Sequence, residues 1–210
     1  MKLSCAITTT KRDVDYLKST IESVGLAGFD MPLLVSDGKM GDNYGQGYVD
    51  SVVQVGVVPN FRTAMALFQA VDFKIVLQDD VIVSKGLKLW LENQKLRDDC
   101  IYSLYTPAVH DSTTGWHELD LVQSLDSPFP WMKTIGACGM MFPYEIAKKF
   151  VSEPPPKRTD RLGAAIGEFC SKHSIPLMMH SPSLVQHVGV CSSLTNVPIE
   201  RKAASFAKEV

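Results

Sequence analysis

The sequence lacks the long apolar run that would span a bilayer. Its richest stretch, Lys74 to Val83, is interrupted by Gln78, Asp79 and Asp80 well short of the ~20 residues needed. It also lacks an excess of charge of either sign: 21 basic residues face 23 acidic ones, for a formal net charge of -2. No global positive field stands ready for a polyanion, so nucleic-acid binding would need a local patch. Paired cysteines are missing too. Cys5, Cys100, Cys138, Cys170 and Cys191 are odd in number, widely spaced and free of any Cys-x-x-Cys pair, which argues against a disulfide framework and a zinc cluster. Each is expected to be a reduced, small buried hydrophobe. No Gly/Ser-rich or charged linker, repeat or low-complexity tract divides the 210 residues, and the start of the chain has no apolar signal core with a small-residue cleavage site. One cytoplasmic domain without membrane insertion is the expectation.

With 45% hydrophobic and 21% charged residues the chain can build a core. Leu3 to Thr9 combines β-branched and small apolar types and reads as a first strand, breaking into Lys11-Arg12-Asp13. Asp13 suits a helix N-cap, and Tyr16, Leu17, Thr20, Ile21 and Val24 then recur at helical spacing before Gly25 and Gly28. Leu33 to Ser36 is a short second strand ending at Asp37-Gly38, and Lys39 to Tyr48 is loop. A third strand is expected over Val52 to Val58, and Pro59-Asn60 opens a helix with Phe61, Ala64, Met65, Leu67, Phe68 and Val71 inward. Phe73 to Leu77 is a continuous buried strand ending at Gln78-Asp79-Asp80.

The second half is less regular. Helices are expected over Leu87 to Leu96, Tyr144 to Val151 and Thr159 to Lys172, and a strand over Ile101 to Thr106. The segment with His110, Asp111, Trp116 and His117 reads as polar loop, Ser127 to Lys133 as Pro- and aromatic-rich loop, and Thr134 to Phe142 as small-residue strand or turn. Strands alternating with helices give an α/β fold with a mostly parallel sheet covered by helices, whose ligands bind at the carboxyl ends of the strands. The polar groups Thr8 to Arg12, Asp37-Gly38 and Asp79-Asp80 fall at those ends.

Two adjacent carboxylates repel unless a cation or solvent compensates. Hard oxygen ligands at a strand end suit Mg2+ or Mn2+, which keep open positions for substrate phosphates. An exposed acidic turn is the plainer alternative. His187, between Gln186 and Val188, read alone is a structural histidine.

The stretches ITTTKR at 7–12, VSDG at 35–38, NFRTAMALFQAV at 60–71, VLQDDVIV at 76–83 and LVQHVGVCSSL at 184–194 resemble a glycosyltransferase of the GT-A fold. The likeness is to the N-acetylglucosaminyltransferase-like branch, which has Glu-Asp-Asp in place of Asp-x-Asp, and it spans nearly the whole chain. It implies a nucleotide-sugar and metal half over 1–83 and an acceptor and catalytic half over 84–210. Nucleotide contacts are implied for Thr8, Thr9, Arg12, Asp37 and Arg62, ribose or sugar contacts for Gln78 and Asp79, and Mn2+ or Mg2+ ligation for Asp80, with His187 near the metal or diphosphate. Gln78 replaces the branch's first acid, which leaves metal binding intact and changes the sugar contacts. In Gly136-Ala137-Cys138-Gly139, Gly136 and Gly139 would let the donor sugar lie against backbone, unless the run is a tightly packed strand.

Asp160 occupies the place of the family's catalytic carboxylate, the base that would deprotonate an acceptor hydroxyl. Thr159-Asp160 before an apolar run is also what a helix start requires, and Glu168 is the reserve. Trp116 and Trp131 are candidates for stacking on sugar rings or for burial. Lys148, Lys149, Lys157, Arg158 and Arg161 form a solvated face or a phosphate contact, so the acceptor classes are a glycan, a protein, a small molecule or a hydroxylated base in DNA. The resemblance implies metal-dependent, inverting transfer from a nucleotide sugar, a UDP-sugar in the first instance. The alternatives are a sugar-phosphate nucleotidyltransferase, against which stands the absence of a Gly-rich, basic phosphate loop after the first strand, and a silent module that binds nucleotide sugar without turnover.

Overall fold

The β-branched and small residues of the first strand suit a pleated segment buried on both faces, and Cys5 to Thr9 are buried. The computed structural model describes residues 1–10, 16–38, 48–50, 54–67, 71–107, 114–119, 122–123, 130–131, 137–155, 161–189 and 202–210. In chain order the elements are β1 (Leu3–Thr10), α1 (Leu17–Leu26), β2 (Leu33–Asp37), β3 (Tyr48–Asp50), α2 (Val57–Ala66), β4 (Phe73–Gln78), β5 (Val81–Val83) and α3 (Leu87–Glu92). They continue with β6 (Ile101–Ser103), β7 (Gly115–Glu118), β8 (Val122–Gln123), β9 (Pro130–Trp131), β10 (Gly139–Pro143), α4 (Tyr144–Ser152), α5 (Leu162–His173), β11 (Leu177–Ser181) and β12 (Val185–His187).

Eight strands form the central sheet in the order β3-β2-β1-β4-β10-β6-β11-β7. The first four are parallel, β10 and β7 run against their neighbours, and β6 is parallel to β11. This is the expected α/β fold with a mostly parallel sheet between helices. Alternation along the strands divides the core. Ala6 and Val76 point to the face covered by α2, α4 and α5, where Phe61, Phe142 and Phe150 pack with ring centroids 5.6 to 6.1 Å apart. Cys5, Ile7, Ile75 and Leu77 point to the other face, with Leu17 and Val24 of α1 and Leu87 and Leu91 of α3.

Three expectations are corrected. The third strand is β3, and Val57 already belongs to α2. The Asp37 carboxylate accepts from the Val55 and Gly56 amides at 2.6 and 3.1 Å, a cap supplied from a distant strand, and Pro59 is tolerated in a first turn whose N–H groups lack intrahelical acceptors. α3 ends at Glu92, not Leu96. Trp116 and His117 lie in edge strand β7, antiparallel to β11, and not in loop. Of the two readings open for Thr134 to Phe142, strand is the one found over Gly139 to Phe142, paired on both sides. The expected caps Asp13 and Thr159 lie outside the described residues.

Beside the main sheet, β5 and β12 pair antiparallel, setting His187 opposite Val81. Residues 202–210 return to this pair: the Ala207 amide donates to Ser183 O at 3.0 Å and the Lys85 amide to Lys208 O at 3.0 Å. Among the described residues no helix is long and apolar enough to cross a membrane. Cys5, Cys100, Cys138 and Cys170 are buried, and burial pushes the Cys170 thiol up to about 12, so these behave as the expected hydrophobes.

Candidate functional site

The carboxyl edge of the sheet gathers the polar residues that the strands cannot place elsewhere. β4 runs apolar from Phe73 to Leu77 and ends at Gln78, and the chain turns through Asp79 and Asp80 into β5. Parallel pairing sets Thr8 beside Gln78 and Thr10 beside Asp37, so three strand ends meet here.

Asp79, only 3% exposed, turns toward β1. Its Oδ2 accepts from Thr9 Oγ1 at 2.7 Å and from the Thr10 amide at 3.4 Å. Asp80, 4% exposed, turns the other way. Its Oδ2 stands 3.3 Å from His187 Nε2, and its backbone carbonyl accepts from the Val188 amide at 2.9 Å. Gly189 closes over both side chains: a Cβ there would stand 2.7 Å from Asp80 Oδ2 and 3.1 Å from His187 Cε1. Backbone thus covers the pair at a distance that only glycine permits.

The donor set fits a small divalent cation. Two ligands about 2.1 Å from one octahedral ion and cis to each other stand about 3.0 Å apart, close to the 3.3 Å observed. Carboxylate and imidazole together suit Mn2+, and carboxylate alone suits Mg2+. Among the described residues the buried His187 Nδ1, on the side of the ring away from Asp80, has no hydrogen-bond partner. Among the described residues no group of three or more His, Cys, Asp or Glu side chains could hold a metal, so a cation here would take its remaining ligands from substrate oxygens and water.

The other expected site residues divide. Thr8 is at the edge, but its hydroxyl donates to Leu77 O at 3.1 Å and ties β1 to β4. Asp37 is at the edge as the cap of α2. Gln78 is half-buried between them. Arg62 is not brought here. Its guanidinium donates to the carbonyls of Phe150, Val151 and Glu153 at 2.7, 2.6 and 2.5 Å, ending α4, and lies over the Phe150 ring. With Glu168 it lines a cavity of about 190 Å³ between α2, α4 and α5 that none of Asp79, Asp80 and His187 touches. Gly139 is likewise corrected. A Cβ there would meet Leu77 Cδ2 at 3.1 Å and Val185 Cγ2 at 3.2 Å, so the space it leaves is filled by protein and not by a sugar.

Trp116 meets Tyr102 and His180 with ring centroids 4.8 and 5.0 Å apart, which makes it a packing residue. Arg12, Gly136 and Asp160 lie outside the described residues, as does the side chain of Trp131. Sequence reading placed Thr20 on the apolar face of α1. The structure sets its hydroxyl under the Asp79-Asp80 turn, and a lone threonine among apolar positions is the only local sign of that.

No protein-family model matches the chain, and no curated protein does. Solved structures do. A nucleotidyl transferase from Methanothermobacter thermautotroptrophicus superposes with a TM-score of 0.59 at 10% identity, over 87% of this chain and 88% of that one. HddC from Yersinia pseudotuberculosis, complexed with GMP-PN, gives 0.55 at 14% identity over 90% and 95%. S. aureus TarS 1-349 gives 0.54 at 11% identity over 88% of this chain and 59% of its own. At such identities the likeness establishes the fold alone.

Proposed function

We propose that the chain is a nucleotide-dependent transferase that moves a sugar from a nucleotide sugar to an acceptor hydroxyl, with Mn2+ or Mg2+ held by Asp80 and His187. The observation that carries this reading is the buried pair of Asp80 Oδ2 and His187 Nε2, 3.3 Å apart at the carboxyl edge of the sheet, where open α/β sheets bind ligands. The bound cation would neutralise charge on the departing diphosphate. Asp80 and His187 would hold the ion, and its remaining ligands would come from substrate oxygens and water. Asp79, fixed by Thr9, presents its carboxylate beside Gln78 to ribose or sugar hydroxyls, with Thr10 at the neighbouring strand end. Asp160, if it stands opposite the anomeric carbon, takes the proton of the attacking hydroxyl, and the configuration inverts. A UDP-sugar is the first donor to try, and a hydroxylated DNA base is one acceptor class beside glycans, proteins and small molecules.

A second reading, nucleotidyl transfer that makes an activated sugar, is favoured by the superposition on a nucleotidyl transferase over 87% of the chain. Incubation with Mn2+ and a panel of UDP-, GDP- and dTDP-sugars, read by mass spectrometry with and without acceptors, is expected to give sugar transfer or slow donor hydrolysis. In the same series Asp80→Ala is expected to lose at least a hundredfold in turnover. Pyrophosphate release from a nucleoside triphosphate and a sugar 1-phosphate would favour the second reading instead. Donor binding without turnover in either assay would leave a silent binding module.

A further inference from the structure

We infer that Thr20 is the positioning residue of the Asp79-Asp80 turn, which deepens the metal-site reading above and rests on it. Thr20 lies on the first turn of α1 and is fully buried, at 0% exposure. Its Oγ1 is 2.8 Å from Asp79 O and 2.8 Å from Val81 O, and it accepts from the Val81 amide at 3.2 Å. A hydroxyl has one proton and two lone pairs, so the proton is shared between the two carbonyls while a lone pair takes the amide. One side chain therefore satisfies backbone groups on both sides of Asp80, from an element remote in sequence.

One helical turn further on, Ser23 Oγ accepts from the Val83 amide at 3.2 Å. Helix α1 thus grips the chain from Asp79 to Val83 by two hydroxyls spaced three residues apart, as side chains on one helix face must be. Only the Thr20 contact reaches the residues that flank Asp80. Asp80 O in turn receives the Val188 amide at 2.9 Å, so the orientation of that peptide couples Thr20 to the strand that carries His187. Losing the hydroxyl leaves buried carbonyls and an amide unpaired, and the turn can relieve them only by moving Asp80 relative to His187.

The test uses the full chain and three variants. Thr20→Val keeps the shape and removes the hydroxyl, Thr20→Ser keeps the hydroxyl, and Ser23→Ala removes the neighbouring grip away from Asp80. Amide hydrogen exchange reads the turn and Mn2+ titration reads the site. Thr20→Val is expected to lose at least tenfold of the exchange protection at Val81 and Val188 relative to β1 amides and to weaken Mn2+ binding at least tenfold. Thr20→Ser is expected to stay within about threefold on both, and Ser23→Ala to lose protection at Val83 alone. Unchanged relative protection at Val188 in Thr20→Val overturns the inference. Should Thr20→Val fail to fold, Thr20→Ser decides: a tenfold loss at both amides with the hydroxyl kept overturns it, and parental behaviour supports it. Absence of Mn2+ binding in the parent chain would sink the metal reading, while the exchange data would still judge Thr20.

Discussion

Asp79 and Asp80 are adjacent and equally buried, yet the fold gives them opposite surroundings. Asp79 faces β1, a parallel neighbour, and receives the Thr9 hydroxyl and the Thr10 amide. Both donors stay neutral whatever the pH, and they fix one carboxylate oxygen in place. Asp80 faces β12, more than a hundred residues away in sequence, and meets the His187 imidazole. Two like residues in one turn thereby divide the work. One is tied to the sheet, and the other stands beside the His187 imidazole.

Separate substitutions should break this pairing of roles unequally. Asp79→Ala removes a buried charged acceptor from Thr9 and Thr10, an expected cost of about 2–3 kcal/mol in urea unfolding. Asp80→Ala should cost less than half of that and abolish Mn2+ binding by titration. Equal stability losses with Mn2+ binding retained by both would erase the distinction.

Gly139 sharpens the comparison from below, because the Cβ it lacks would press on Val185 of β12 and on Leu77 of β4. Overpacking by Gly139→Val should cost about 1–3 kcal/mol, with Mn2+ affinity falling as β12 shifts. Exchange protection of the Thr10 amide on the Asp79 flank should persist. Loss of that protection would mean the two flanks yield together. Gly189→Ala acts more narrowly, wedging a methyl between Asp80 and His187. It should lower Mn2+ affinity about tenfold, equivalent to ~1.4 kcal/mol, with little change in thermal midpoint, and parental affinity would show that the pair can part without penalty.

The Asp79 flank was legible in the sequence and the Asp80 flank only partly so, for a physical reason. β1, β2 and β4 announce themselves by continuous apolar runs ending in polar residues, and parallel α/β topology then aligns their carboxyl ends. The imidazole at 187 could be nominated by its type. Its approach to Asp80, however, depends on the antiparallel pairing of β12 with β5, two short strands without a periodic signal of their own. Arg62 and Gly139 misled for the same reason in reverse. A motif suggested ligand contacts, whereas α4 carbonyls and core side chains, both brought in by tertiary packing, claim them. The start of α2 was misplaced because its cap, Asp37, comes from another strand.

Acid should separate the flanks by a smaller margin. β12 is reached from β11 through His180, whose buried ring lies edge-on between Trp90 and Trp116. Its Nδ1 is 2.8 Å from Pro182 O, and since a carbonyl only accepts, that nitrogen carries the proton. Burial, with a lesser push from His117, holds the ring below the ordinary histidine value despite the opposing pull of Pro182 O. Above about pH 6.5 the ring is neutral folded or unfolded, and stability is unaffected. As pH falls through that value the unfolded chain binds a proton that folded His180 refuses, so stability declines with acid. The carboxyls of Glu153 and Asp99 are held below their usual range by Lys172 and Arg97, so their losses come at lower pH and leave this window to histidine. The thermal midpoint of the parent should drop between about pH 7.5 and about pH 5.5, and His180→Gln should flatten that drop. Exchange at Val188 should rise before exchange at Thr10 in the parent alone. A variant as acid-sensitive as the parent would move the effect to another group and leave the Asp80 flank no weaker in acid than its neighbour.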